Sequence, residues 1–191
     1  MITKKVILIS ASLIVIILII VGALRMNEEQ GIVVLQTNYG NIEVELYTEK
    51  APITTENFLS YVREGFYDGL VFHRVIEGFM IQGGGFTQQM EQKETKDPIK
   101  LETHPDLKNV RGTLAMARTN DPDSATSQFF INVVDNPFLD ARAGNDGYAV
   151  FGKVISGMDV VDKIKSVETE TKAVYDDWPV ENVIIERAYI R

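Results

Sequence analysis

The stretch Phe72–Phe86, FHRVIEGFMIQGGGF, decides how this chain folds. Two strand-like runs, Leu70–Ile76 and Phe79–Gln82, flank a turn at Glu77-Gly78, and three glycines, Gly83-Gly84-Gly85, follow. Regular alternation puts Leu70, Phe72, Arg74 and Ile76 on one face of the first run and Val71, His73 and Val75 on the other. Met80 and Gln82 share a face of the second run by the same rule. A hairpin of this kind gathers one guanidinium, one thioether and one amide on a common patch. His73, turned away from Arg74, reads as structural. The glycine run reads as a tight bend with no chemistry of its own.

Outward from this unit the chain is a succession of short strands. Ile32–Gln36 and Ile42–Leu46 are separated by turn residues, and Ile42, Val44 and Leu46 alternate with Glu43 and Glu45, as in a half-buried hairpin strand. Pro52 opens a helix with Phe58, Leu59 and Val62 on one face, and Gly65 stands at its C-terminal cap. The polar stretch Thr87–Asn109 reads as a solvated loop. Thr113–Ala117, Gln128–Asn132, Ala149–Ile155 and Val183–Ile190 are further strands, and Gly157–Ser166 is an amphipathic helix. Long loops run over Arg118–Thr126 and Asp135–Gly147. Many short strands with two helices predict a mainly β, closed antiparallel barrel with covered ends.

The chain has 191 residues, 45% hydrophobic and 24% charged, enough for one globular domain with a real core. It has no cysteine, which excludes disulfides and thiolate chemistry. A formal net charge of −8 disfavours nucleic acid as a partner, because that affinity rests on neutralising phosphates. Residues 1–30 are a separate unit. Lys4 and Lys5 precede the uncharged run Val6–Leu24, close to the roughly 20 residues that cross a bilayer as a helix. Its length favours an uncleaved signal-anchor, with the domain of residues 31–191 on the extracytoplasmic side by the positive-inside rule. Val21-Gly22-Ala23 keeps open a cleaved signal peptide and a periplasmic or secreted product.

The exclusions narrow the chemistry. With two histidines and no cysteine, no metal-ligand spacing is visible. Gly83–Gly85 lacks the Gly-Lys-Ser/Thr ending of a phosphate loop, and no serine sits in a G-x-S-x-G context. No cofactor is expected.

FHRVIEGFMIQGGGF resembles the signature of the cyclophilin-type peptidyl-prolyl cis/trans isomerases. Gly112–Asn132 (GTLAMARTNDPDSATSQFFIN) resembles the bacterial form of the family, and Tyr148–Gly157 (YAVFGKVISG) extends the likeness. The resemblance as a whole covers roughly Ile32 to Ile190. The resemblance implies an eight-stranded barrel with a helix at each end and rotation about X–Pro bonds, and the amino-terminal segment makes extracytoplasmic proteins the expected substrates. It makes Arg74 the catalytic residue and implies that Phe79, Met80, Phe130 and Leu139 hold the proline ring. Phe138 falls where many eukaryotic members have tryptophan. Gln82 matches the amide that contacts the substrate backbone, Gln128 a glutamine that supports the site, and Ala117 and Arg118 the edge facing the residue before proline. Arg118 and Tyr148 stand where many members have asparagine and histidine. The soluble domain is expected to be monomeric. Read without the flanking pattern, Arg74 is an ordinary surface arginine and the apolar residues are core. A non-catalytic peptide-binding or holdase module on the same fold is the alternative.

Overall fold

The computed structural model describes residues 31–191. The anchor or signal helix expected over residues 1–30 lies outside the described residues. Among the described residues, no helix is long and apolar enough to cross a membrane. The strands are β1 (Ile32–Thr37), β2 (Gly40–Leu46), β3 (Leu70–Ile76), β4 (Met80–Thr87), β5 (Thr113–Met116), β6 (Phe129–Asn132), β7 (Val150–Ser156), β8 (Thr169–Lys172), β9 (Tyr175–Pro179) and β10 (Val183–Ile190). The helices are α1 (Pro52–Arg63) and α2 (Met158–Lys165), and a single 3-10 turn covers Pro137–Leu139. Eight strands close an antiparallel barrel in the order β1-β10-β3-β4-β6-β5-β7-β2. The β8–β9 hairpin forms a second, two-stranded sheet.

The barrel is filled, not hollow, as expected for a barrel this narrow. Phe58 of α1 lies 5.2 to 5.3 Å from Tyr67, Phe129 and Phe151, so aromatic rings from one helix, one loop and two strands meet in the interior. Val160, Val161 and Ile164 of α2 join the same core, as the 3.6-residue pattern predicts.

Two register shifts in the β3–β4 pair change the sequence-based expectation for the central hairpin. Val71 faces Phe86, but Phe72 faces Gly83 and Arg74 faces Gln82. Thus β4 inserts Gly84 and Gly85, and β3 inserts His73. Alternation breaks at the second bulge. Leu70, Phe72 and Val75 all point into the main core, and Arg74 leaves the face it was expected to share with Leu70 and Phe72. The tight bend expected at the glycines is a bulge within β4.

The β8–β9 hairpin was not expected from the sequence. It covers the outer face of β3: Trp178, fully buried, packs with Val71 and Phe86 in a separate apolar cluster. The polar stretch after β4 also does more than solvate. Helix α1 begins at Pro52 with no side-chain cap of its own. The Glu102 carboxylate supplies one, accepting from the Ile53 and Thr54 N–H groups at 3.2 and 2.9 Å and from the Thr54 hydroxyl at 2.9 Å. A carboxylate at a helix N-terminus satisfies orphan donors and meets the positive end of the helix dipole. Glu102→Ala is expected to lower unfolding stability by about 1 kcal/mol, the usual worth of an N-terminal cap. Urea denaturation reads this directly. An unchanged midpoint would show that water replaces the carboxylate without cost.

Candidate active site

On the outer face of the barrel, strand pairing lays a row of residues side by side. Arg74 on β3 faces Gln82 on β4, Gln82 faces Phe130 on β6, and Phe130 faces Ala115 on β5. Above this row is a cleft of about 190 Å³. Its floor is apolar. Met80, Phe130 and Leu139 are buried and pack with Ala115 and Val150. Phe79 and Tyr148 stand as walls, and the Tyr148 ring meets Phe130 edge-on at 5.7 Å. Arg74, Gln82, Ala117 and Arg118 supply the polar rim.

The structure thus brings nine of the eleven expected site residues to one cleft. The other two stand beside it. Phe138 is 52% exposed and stacks on Phe79, centroids 5.5 Å apart, so it extends the wall outward without lining the cleft. Gln128 lines a neighbouring hollow of about 340 Å³, shared with Gln82, Ala117 and Arg118. Its Oε1 accepts from the Gln82 amide nitrogen at 2.9 Å. The neighbouring glycine makes this possible: a Cβ on Gly85 would lie 2.6 Å from the Gln128 side chain. One glycine of the run, without chemistry of its own, therefore makes room for a side chain beside the cleft.

Arg118 is folded back. Its guanidinium lies 4.6 Å from the Tyr148 ring centroid and donates to the carbonyls of Gly147 and Thr119 at 2.8 to 3.0 Å. It holds the Gly147-Tyr148 wall, with a cation–π contact in support.

Three asparagines that sequence reasoning passed over fix the walls from behind. Asn136 donates to the Phe79 carbonyl at 2.9 Å and to Asn132 Oδ1 at 2.7 Å. Asn132 donates to the Thr113 hydroxyl at 3.0 Å, and Asn109 to the Leu139 carbonyl at 3.2 Å. All three are buried, where a satisfied polar network is rigid and a broken one is costly. Only their burial marks them: Asn132 ends β6, and Asn109 and Asn136 lie in loops, where asparagine normally signals turns.

His73 was expected to point away from Arg74. The bulge instead leaves both outside the barrel, with the His73 ring tucked beneath Phe86 and Trp178 at 4.6 and 5.9 Å. Its Nε2 is 3.5 Å from the Gln82 amide nitrogen. A neutral imidazole accepting there leaves Gln82 with its NH₂ toward His73 and Gln128 and its carbonyl oxygen for other partners. Burial pushes the His73 pKa down to about 4; the Val71 carbonyl opposes this and the Arg74 charge adds to it.

The family described as "Cyclophilin type peptidyl-prolyl cis-trans isomerase/CLD" matches residues 32–190. A peptidyl-prolyl cis-trans isomerase of Acinetobacter baylyi is 59% identical over 157 residues, covering 82% of this chain and 84% of the relative. Peptidyl-prolyl cis-trans isomerase B of Escherichia coli is 58% identical over 157 residues, covering 81% of this chain and 96% of its own length. The crystal structure of a Cryptosporidium parvum cyclophilin-type isomerase, obtained in the presence of the dipeptide Ala-Pro, superposes with a TM-score of 0.70 at 30% identity. It covers 84% of this chain and 98% of that one.

The lowered pKa of His73 has a consequence for stability. The unfolded chain protonates this histidine below its ordinary value of 6.5, whereas the folded chain resists until about 4. Unfolding therefore takes up a proton in that window, and stability falls as pH drops from 6.5 to 4. The full loss from this group is about 3 kcal/mol. His73→Gln, which cannot titrate, should flatten the pH dependence of the urea midpoint across the same window. A variant with the wild-type slope would place the titration elsewhere.

Proposed function

The chain belongs to the family of cyclophilin-type peptidyl-prolyl cis-trans isomerases and is such an isomerase, and from this premise we propose that the Arg74 cleft is where it turns the X–Pro bond. The observation that carries the reading is the juxtaposition of a guanidinium at the rim with a dry floor of Met80, Phe130 and Leu139. A proline ring is apolar and small, and the cleft lies below the roughly 300–1,000 Å³ of pockets that take larger ligands. The ring settles on that floor between Phe79 and Tyr148. Gln82, oriented by His73 and Gln128, offers its amide oxygen to the substrate backbone. The residue before proline extends toward the hollow bordered by Ala117, Arg118 and Gln128.

The chemistry is rotation, with no bond broken. Resonance sets the barrier at roughly 18–20 kcal/mol. In the twisted state the proline nitrogen turns pyramidal and regains its lone pair. A donor placed at that nitrogen binds the transition state better than either planar ground state. Arg74 presents several donors in a rigid fork. A thousandfold acceleration needs about 4 kcal/mol, and a hydrogen bond to a charged group contributes about 1.5–3 kcal/mol. Arg74 therefore does not suffice alone. The remainder comes from the water-excluded cleft, where preorganised donors are worth more than in solution.

The same reading extends to location. Supported by the length of Val6–Leu24 and by Lys4 and Lys5, we propose that the domain works on the extracytoplasmic side, tethered to the membrane and folding proline-containing exported polypeptides as a monomer.

Two measurements test these roles. Arg74→Ala should reduce kcat and kcat/KM together by about 10- to 100-fold, the pattern of a lost transition-state contact, with circular dichroism unchanged. Arg74→Lys should also be impaired, because an ammonium lacks the planar fork. Met80→Ala should instead raise KM through lost apolar contact. A folded Arg74→Ala protein that isomerises at the wild-type rate would refute the mechanism. For location, the protein should stay in the membrane fraction with its domain open to externally added protease. A mature chain beginning near Leu24 would sink the tether and leave a released enzyme.

A further inference from the structure

Arg74 is braced from outside the barrel. Its Nε lies 3.5 Å from Oδ2 of Asp177, on β9. Among the described residues, no hydrogen bond to a protein acceptor engages its two terminal nitrogens. Asp177 sits at φ 60°, in the left-handed region that aspartate and asparagine tolerate better than most residues. Its backbone is held there. The next residue, Trp178, is fully buried against His73 and Phe86. The Lys172 ammonium donates to the carbonyls of Pro179 and Val180 at 2.8 and 2.9 Å, and the Thr171 hydroxyl donates to Asp176 at 2.8 Å. Consecutive residues of β9, Asp177 and Trp178, thus meet consecutive residues of β3, Arg74 and His73. The carboxylate is short and its hairpin is fixed, whereas arginine is long and rich in rotamers. The fixed partner sets the place of the mobile one.

We propose that Asp177 is a positioning residue of the isomerase: its carboxylate takes the Nε edge of Arg74 and leaves the terminal N–H groups for the twisting amide nitrogen. The proposal rests on the catalytic reading of Arg74 given above. Both side chains remain exposed, 42% and 37%, so the pair adds little to global stability. Its effect belongs to the rate, where a small misplacement of a reacting group is costly.

The test is Asp177→Asn in the full-length protein, since asparagine keeps the shape and accepts the same φ. It should lower kcat about three- to tenfold with KM nearly unchanged, leave the melting temperature where it was, and shift the Arg74 Nε–H resonance. In an Arg74→Ala background the same change should have no further effect. A purely structural residue would move the melting temperature instead, and its effect would persist without Arg74. If Arg74→Ala is inactive while Asp177→Asn has an unchanged or raised kcat, or if the two losses are additive, the positioning role is overturned and the catalytic reading stands. If Arg74→Ala is fully active, both fall.

Discussion

A strand that kept its pleat from Leu70 to Ile76 would carry Arg74 into the space occupied by Leu70 and Phe72. That space is the filled interior of the barrel, packed with Phe58, Phe129 and Phe151. An unpaired guanidinium there would cost several kcal/mol, a large part of the roughly 5–15 kcal/mol that holds a domain folded. The bulge at His73 removes the conflict. It lets Phe72 and Val75 both face inward while Arg74 faces out, and the outward row Arg74–Gln82–Phe130–Ala115 then assembles by ordinary strand pairing. The compensating insertion of Gly84 and Gly85 on β4 needs glycine. Gly84 has φ 82°, and a Cβ there would come within 3.0 Å of both Tyr67 and Phe129.

The site lies on the outside of the barrel because the inside has no room. An outer sheet face is normally wet. Here it is dried by what surrounds it: the Pro137–Leu139 turn brings Leu139 over Met80 and Phe130, and Arg118 clamps the Gly147–Tyr148 segment beside them. These walls are loop residues, which are usually mobile. The buried chain Asn109–Asn132–Asn136 ties the Phe79 and Leu139 carbonyls to one another and to β5 through Thr113. Loops thereby gain the fixed geometry of strands, which electrostatic preorganisation requires.

Much of this was legible in the chain. The barrel strands declared themselves where one face was polar, as at Ile42–Leu46, and where two aromatics sat side by side: Phe129 and Phe130 had to part, one to the core and one to the cleft. Most of the residues that gather at the cleft were legible through three motif blocks rather than through periodicity, since a thioether, an amide and two rings are individually unremarkable. The break in alternation at His73 was not legible, because a bulge depends on the partner strand's register. Nor was the cap on α1: nothing local links Glu102 to Thr54 across a loop.

The β8–β9 hairpin escaped for a different reason. Thr169–Lys172 and Tyr175–Pro179 lack alternation, and their one large core side chain is Trp178. The signal lay elsewhere. Leu70, Val71, Phe72 and His73 are buried in succession, although a barrel wall needs only alternate residues inside. Val71 and His73 on the outer face therefore demanded a cover, and continuous apolar runs mark strands covered on both sides. The hairpin is that cover. Its burial of Trp178 against β3 also dries His73, holding the imidazole neutral beside Gln82, and delivers Asp177 to Arg74. A segment that looks like surface decoration thus sets the surroundings of two adjacent residues, one beside the Gln82 amide and one carrying the guanidinium.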